Sequence, residues 1–424
     1  MPFKSAMLAL AFGAQGAVTA ASACTSTTLC DAGTLSPVAA KLQAAQGGGE
    51  PVHILQIGDS HTAGDTITHG LRTRLQAVFG NGGRGVLAAG RPYAGYLTFG
   101  VTASESAGWR SNVIFGSRWQ PDGPALGLSG FTRTTARAGE TLGLTTDAPE
   151  FDFDRAVVCA LMRPGGGMVT LRMGDATQNW SLQAPGEGVA CRTIESERPV
   201  SSASITTLDD GAVSITSFGT FRRAGGVVVS NVGVVGAQLQ HFGRTDHGVL
   251  REELAVYRPD LIILAFGTNE GFGGTRSEAY EAQLRQQVAR IRQHAGRDVP
   301  IMLLGAPDAA SRNASTGASC GAGWHTPALL GEVRATQRRV ARELKLGFWD
   351  WEQAMGGRCA SLAWLGRGLM RGDMVHFTRE GGDRIGAMIF EDISRAAAAA
   401  PASAPTFRHP EQRQEPVPPV RRRP

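Results

Sequence analysis

The feature that most constrains this chain is a rhythm of short apolar runs and helical stretches, broken once by a long segment rich in Thr, Ser and Gly. His53–Ile57 is a short apolar run ending at Gly58-Asp59-Ser60, and 65–79 follows with Ile67, Leu71, Leu75 and Val78 at helical spacing. The rhythm resumes at Val227. Runs at 227–232, 261–266, 301–304 and 347–349 alternate with helical stretches near 238–256, 277–295, 328–344 and 380–395. Strands alternating with helices predict an α/β fold, a three-layer sandwich in which helices cover both faces of a mostly parallel sheet. From about Leu97 to Ala224 no helix is expected. Period-two alternation, as at 168–173 and 204–215, cut by frequent turn signals, reads instead as a β-sandwich.

The expected organisation is therefore an α/β domain in two parts, 24–95 and 227–395, with an inserted β-sandwich domain at 96–226. The insert enters beside the carboxyl end of the first strand, where open α/β sheets build their sites. The ends are read separately. Lys4, the run 6–20 and Ala21-Ser22-Ala23 form a signal-peptide pattern over 1–23, too short to span a bilayer of about 20 apolar residues. A lipid-attachment box at Cys24 is poor, because Ala21 stands where a Leu-like residue is usual. The Ala/Pro/Arg-rich stretch 396–424 has no apolar periodicity and is expected to be a disordered tail. The implied location is periplasmic or secreted, with no membrane span.

Of the net charge of +5, the tail carries +3 and the leader +1, so the core is nearly neutral and offers no basic face for nucleic acid. All six cysteines (24, 30, 159, 191, 320, 359) follow the cleavage site, as suits an oxidising compartment, and chain order pairs them 24–30, 159–191 and 320–359. None lies in a C-x-x-C pair and no histidine cluster accompanies them, so neither a metal nor a cofactor is expected.

Four short segments lie where strands end. They are Gly58-Asp59-Ser60-His61, Asn231–Ala237 with Gly236, Gly267-Thr268-Asn269-Glu270, and Asp373–Thr378 with His376. Each has a bland reading as a turn or a helix cap. Together they offer a hydroxyl, backbone and amide donors, and an imidazole with a carboxylate, converging on one sheet edge. A serine hydroxyl is a weak nucleophile until an imidazole takes its proton. An Asp three residues before its His can reach Nδ1 only if the loop turns back. His61 is the rival base by adjacency, but neighbouring side chains on such a turn point apart. His69, His241, His247, His294 and His325 are expected to be core or surface histidines. Trp109, Trp119 and Trp180 of the insert suit a sandwich core better than sugar stacking. Arg285, Arg290 and Arg292 are expected on the solvated face of the 277–295 helix.

The set resembles the SGNH (GDSL-type) hydrolase family, whose four blocks carry Ser, Gly, Asn and His. The stretch from Ile54 to Asp65 resembles more narrowly the peptidoglycan O-acetylesterase branch, with its His after the nucleophile and its insert resembling a carbohydrate-binding module. The resemblance implies Ser60 as nucleophile, His376 as base and Asp373 as its orienter. It also implies an oxyanion hole from the Ser60 and Gly236 N–H groups and the Asn269 amide. The expected function is an exported serine carbohydrate O-acetylesterase acting on a cell-envelope glycan, with 6-O-acetyl muramoyl residues of peptidoglycan as first choice. The alternatives are a peptidoglycan O-acetyltransferase on the same scaffold, an acetyl xylan esterase, or a glycan-binding protein without activity.

Overall fold

In the computed structural model, which describes residues 28–46, 50–313 and 317–399, the main sheet has six strands. Their order is Leu29–Cys30, Gly347–Trp349, Ile301–Leu304, Leu261–Ala265, Val52–Gly58 and Val227–Gly233. The last five run parallel, and Leu29–Cys30 pairs antiparallel with Gly347–Trp349 at the edge. Val52–Gly58, the first long apolar run in the sequence, lies between Leu261–Ala265 and Val227–Gly233 and is wholly buried.

Alternation along these strands feeds two cores. Leu55, Ile57, Ile262 and Leu264 face helices His247–Tyr257, Ser277–Ala295 and Leu330–Glu343. Ile54, Leu261, Ile263 and Met302 face helices Ser36–Gln46, Thr66–Phe79 and Arg379–Ala399. Helices on both faces of a mostly parallel sheet make the α/β three-layer sandwich that the alternation predicts.

The intervening stretch forms two antiparallel sheets packed on a third core that includes Leu142, Leu144, Phe153, Val158, Leu171 and Trp180. Trp109 and Trp180 are buried there, as expected of sandwich-core residues, while Trp119 is half-buried with the Arg244 guanidinium 3.6 Å above its ring. Strand Gly85–Leu87, which the sequence places with the first α/β part, instead pairs with Val213–Phe221 of the sandwich. The first core is shared between the two parts: Val113, Phe131 and Val157 pack in it with Leu250 and Leu254. Glu253 strengthens the joint. Its buried carboxyl accepts from the Leu128 N–H and from the Thr216 and Ser217 hydroxyls.

Three local readings change. The expected helix at 238–256 is two helices, Leu239–Phe242 and His247–Tyr257, because Asp246 caps the second by accepting from the Gly248 and Val249 N–H groups. The final helix runs on through Ala399, four residues into the expected tail; alanine favours helix, and Ala397 is buried. Arg290 is not on a solvated face. It is buried and donates to the Phe242 and Thr245 carbonyls and the Thr245 hydroxyl.

Disulfides join Cys159 to Cys191, opposite each other on neighbouring strands, and Cys320 to Cys359. The expected 24–30 pairing involves Cys24, which lies outside the described residues, as do the expected signal peptide and the tail from residue 400. No helix among the described residues is long and apolar enough to cross a membrane.

Candidate active site

The site begins where the central strand stops. At Gly58 a Cβ would lie 2.3 Å from Thr62 Oγ1 and 2.6 Å from the Ala265 carbonyl, so only glycine lets the strand turn this tightly. Asp59 then caps the short helix Ser60–Ala63, its Oδ1 accepting from the His61 N–H at 3.0 Å. Behind the turn lies a buried polar network. The Asp65 carboxylate takes Arg72, Arg84, the Thr68 hydroxyl and the Phe99 N–H, and Arg84 also reaches Asn231. The charges of Arg72 and Arg84 outweigh the effect of burial and hold the Asp65 carboxyl below its usual range.

Ser60 Oγ lies 3.0 Å from His376 Nε2, and His376 Nδ1 lies 2.8 Å from Asp373 Oδ2. The loop makes the required turn: Met374 sits at φ 60°, and Asp373 Oδ1 accepts from the Val375 and His376 N–H groups, each at 2.9 Å. With Nδ1–H donating to Asp373, Nε2 carries the lone pair and accepts from the serine hydroxyl. Burial raises the Asp373 carboxyl, but the His376 N–H and ring and the Val375 N–H overcome it and hold the carboxyl below its ordinary value.

The two expected oxyanion donors outside the serine turn come to the same sheet edge. Gly236 has φ 77°, and a Cβ on it would meet Phe115 of the insert at 2.5 Å. The Asn269 amide donates to the Ala237 carbonyl at 2.9 Å and, weakly, to Asp59 Oδ2 at 3.4 Å. Glu270 ties these loops together, accepting from the Leu239 N–H at 2.7 Å and the Gly267 N–H at 2.9 Å. Burial pushes its carboxyl up to about 7 against the pull of these two N–H groups.

Over Ser60 and His376 opens a cleft of about 270 Å³, lined also by Tyr93, Leu97, Val235 and Arg371. Leu97 and Val235 are 48% and 54% exposed and give the cleft an apolar rim. Of these four, sequence reasoning reached only Val235, inside the Asn231–Ala237 segment. Arg371 stands two residues before Asp373, a signal in plain view, whereas Tyr93 and Leu97 come from a loop with no pattern of its own.

A larger groove of about 660 Å³, with Lys41, His53, Arg258 and Asp260, lies at the amino ends of the parallel strands, away from the edge where such sheets bind ligands. The five histidines expected to be core or surface residues find partners elsewhere. His69 lies tilted against Phe99 and His241 against Phe115, His325 pairs through its backbone with Ser311, and His247 bonds His294 at 2.8 Å. Among the described residues no group of three His, Cys, Asp or Glu side chains is placed to hold a metal.

Residues 215–384 match the GDSL-like Lipase/Acylhydrolase family, a span that includes the Gly236, Asn269 and His376 segments. A solved structure of a peptidoglycan O-acetylesterase in action is similar over 88% of this chain and 99% of its own, with 28% identity and a TM-score of 0.74. A family two carbohydrate esterase from Clostridium thermocellum in complex with cellohexaose matches at 12% identity and a TM-score of 0.29, covering 69% of this chain and 99% of its own. A GDSL-like lipase from Bacteroides thetaiotaomicron matches at 17% identity and a TM-score of 0.28, over 40% of this chain and 76% of its own. Among curated proteins nothing matches.

Proposed function

We propose a function from one premise: the chain is an SGNH-type, GDSL-like hydrolase related to a peptidoglycan O-acetylesterase. It is a serine esterase that removes O-acetyl groups from a cell-envelope glycan, most readily 6-O-acetyl muramoyl residues of peptidoglycan. The observation that carries this reading is the continuous Ser60–His376–Asp373 chain of hydrogen bonds at the carboxyl edge of the sheet, open to a cleft.

Ser60 Oγ attacks the acetyl carbonyl carbon while His376 Nε2 takes its proton. The tetrahedral oxyanion is met by the Ser60 and Gly236 N–H groups and by Asn269, whose amide gives up its long contact with Asp59. The imidazolium, steadied by Asp373, protonates the departing sugar oxygen and leaves acetyl-Ser60. Water, deprotonated by His376, then attacks the acetyl carbon and releases acetate, which restores the serine. A narrow cleft with an apolar rim suits a short acyl group on a polymer. The peptidoglycan O-acetylesterase likeness favours that glycan over xylan. The Cys159–Cys191 and Cys320–Cys359 disulfides support an oxidising compartment and hence export.

The test supplies purified protein with O-acetylated peptidoglycan, acetylated xylan and a small acetyl ester, with Ser60→Ala as control. Acetate is expected from peptidoglycan, dependent on Ser60, with N-acetyl groups retained. Fast release from xylan and none from peptidoglycan would overturn the substrate, and full activity in Ser60→Ala would overturn the esterase.

A further inference from the structure

His61 follows the candidate nucleophile, yet its ring does not approach the serine hydroxyl. It is 6% exposed and lies in an aromatic slot, with centroids 5.4 Å from Trp351, 5.6 Å from Phe377 and 5.5 Å from His376. Both ring nitrogens meet oxygens: Nδ1 meets Asp59 Oδ1 at 3.2 Å and Nε2 meets the Val375 carbonyl at 3.0 Å. A carbonyl oxygen only accepts. Asp59 Oδ1 already accepts the His61 backbone N–H. Two acceptors demand two donors, and only the imidazolium supplies both. A neutral ring would turn a lone pair toward a buried oxygen, at a cost comparable to a lost hydrogen bond.

We propose that His61, as a buried imidazolium, is a positioning residue that clamps the loop carrying His376 to the turn carrying Ser60. One end of the clamp is the residue before Ser60, and the other is the residue before His376. The role rests on the serine-esterase reading, since it matters only if the Ser60–His376 distance governs turnover. Without the clamp, the half-exposed loop keeps His376 near Ser60 through fewer ties, and a small misplacement of a base is costly in rate.

The charges around the ring agree. Asp59 faces it from the serine turn, and Asp373 and His376 from the base loop. The helix Trp351–Met355 presents the Trp351 indole, while its Asp350 and Glu352 are taken by Arg338 and Arg334. Burial lowers the proton affinity of His61, but the Asp59 charge and bond, the Val375 carbonyl and Asp373 outweigh it, so the ring titrates above its ordinary value. The charged clamp is therefore lost as pH rises through that raised value.

The experiment compares wild type, Ser60→Ala, His61→Gln and His61→Phe on a small acetyl ester across pH, with melting curves for each. It adds imidazole ¹⁵N NMR of the wild type at neutral pH. Phe fills the slot with no donor, and Gln keeps a single donor group. The expected result is a kcat loss of about 10²-fold for Phe and about tenfold for Gln, with KM changed less than about threefold. The alkaline fall in rate disappears in both variants, and the wild-type His61 ring shows both nitrogens protonated. An unchanged kcat in His61→Phe, an alkaline limb that persists in it, or a neutral wild-type ring overturns the clamp. If the variants do not fold, the wild-type spectrum still decides the protonation state on which the clamp depends. Full turnover by Ser60→Ala overturns the esterase reading, a result distinct from an active His61→Phe beside an inactive Ser60→Ala.

Discussion

The serine turn and the base loop meet at two hydrogen bonds, Ser60 Oγ with His376 Nε2 and His61 Nε2 with the Val375 carbonyl, but are built differently. The turn is backed by fully buried charges, with the Asp65, Arg72 and Arg84 side chains 0%, 3% and 2% exposed. The loop holds Asp373 and His376 with side chains 47% and 37% exposed. The proposed nucleophile, Ser60, sits on a turn backed by the interior of the protein. The proposed base, His376, is held by an aspartate turn on the surface and by the bond of His61 to the Val375 carbonyl. The proposed site thus sets a turn backed by buried charges against a loop that meets solvent.

Removing either side of the meeting point breaks the comparison most severely. Ser60→Ala and His376→Ala should each lower kcat by about 10⁴-fold or more without unfolding the protein, measured by acetate release alongside circular dichroism. Next comes the backing of the turn. Asp65→Asn leaves two buried guanidinium groups short of their counter-charge and should cost about 3–5 kcal/mol by chemical denaturation, as breaking a buried pair does. Because the folded Asp65 carboxyl is depressed, its contribution is complete above the unfolded value of about 3.9 and is lost as pH falls through the folded value. If Asp65→Asn is as stable as wild type, the two sides are not differently built.

Asp373→Asn should act on the other side, lowering kcat by about 10²-fold while stability changes little, because this partner is half-exposed. A stability loss in Asp373→Asn equal to that of Asp65→Asn would also break the contrast. The smallest effect is expected at Asp383, whose exposed pair with Arg74 ties the two helices on one face. Asp383→Asn should cost about 0.5 kcal/mol, as surface pairs do, and leave kcat unchanged.

The sequence displayed the strand ends clearly, because buried parallel strands are short apolar runs and each closes on Gly or a polar turn. Ser60, Gly236 and Asn269 were legible for that reason; His376 follows no strand of the sheet but a loop between helices Ala360–Gly366 and Arg379–Ala399, and its bond to Ser60 brings it to the same edge. The purpose of His61 was not legible, since its second partner, Val375, lies 314 residues away. Phe115 against Gly236, and the burial of Arg290, are likewise matters of distant packing. Helix Ser36–Gln46 escaped notice because its many alanines blur the apolar stripe. Strand Gly85–Leu87 is three residues long, too short to declare which sheet it joins.

The central position of Val52–Gly58 has a consequence for the history of each molecule. Its two neighbours in the sheet, Val227–Gly233 and Leu261–Ala265, are made only after the entire insert. At synthesis rates of about 5–20 residues per second, the wait is on the order of ten seconds to half a minute. Throughout it, an apolar β-strand is without its partners, the kind of segment that associates with other chains when left bare. The chain thus emerges with its central strand well before the two strands that cover its edges, and the length of the insert sets that interval.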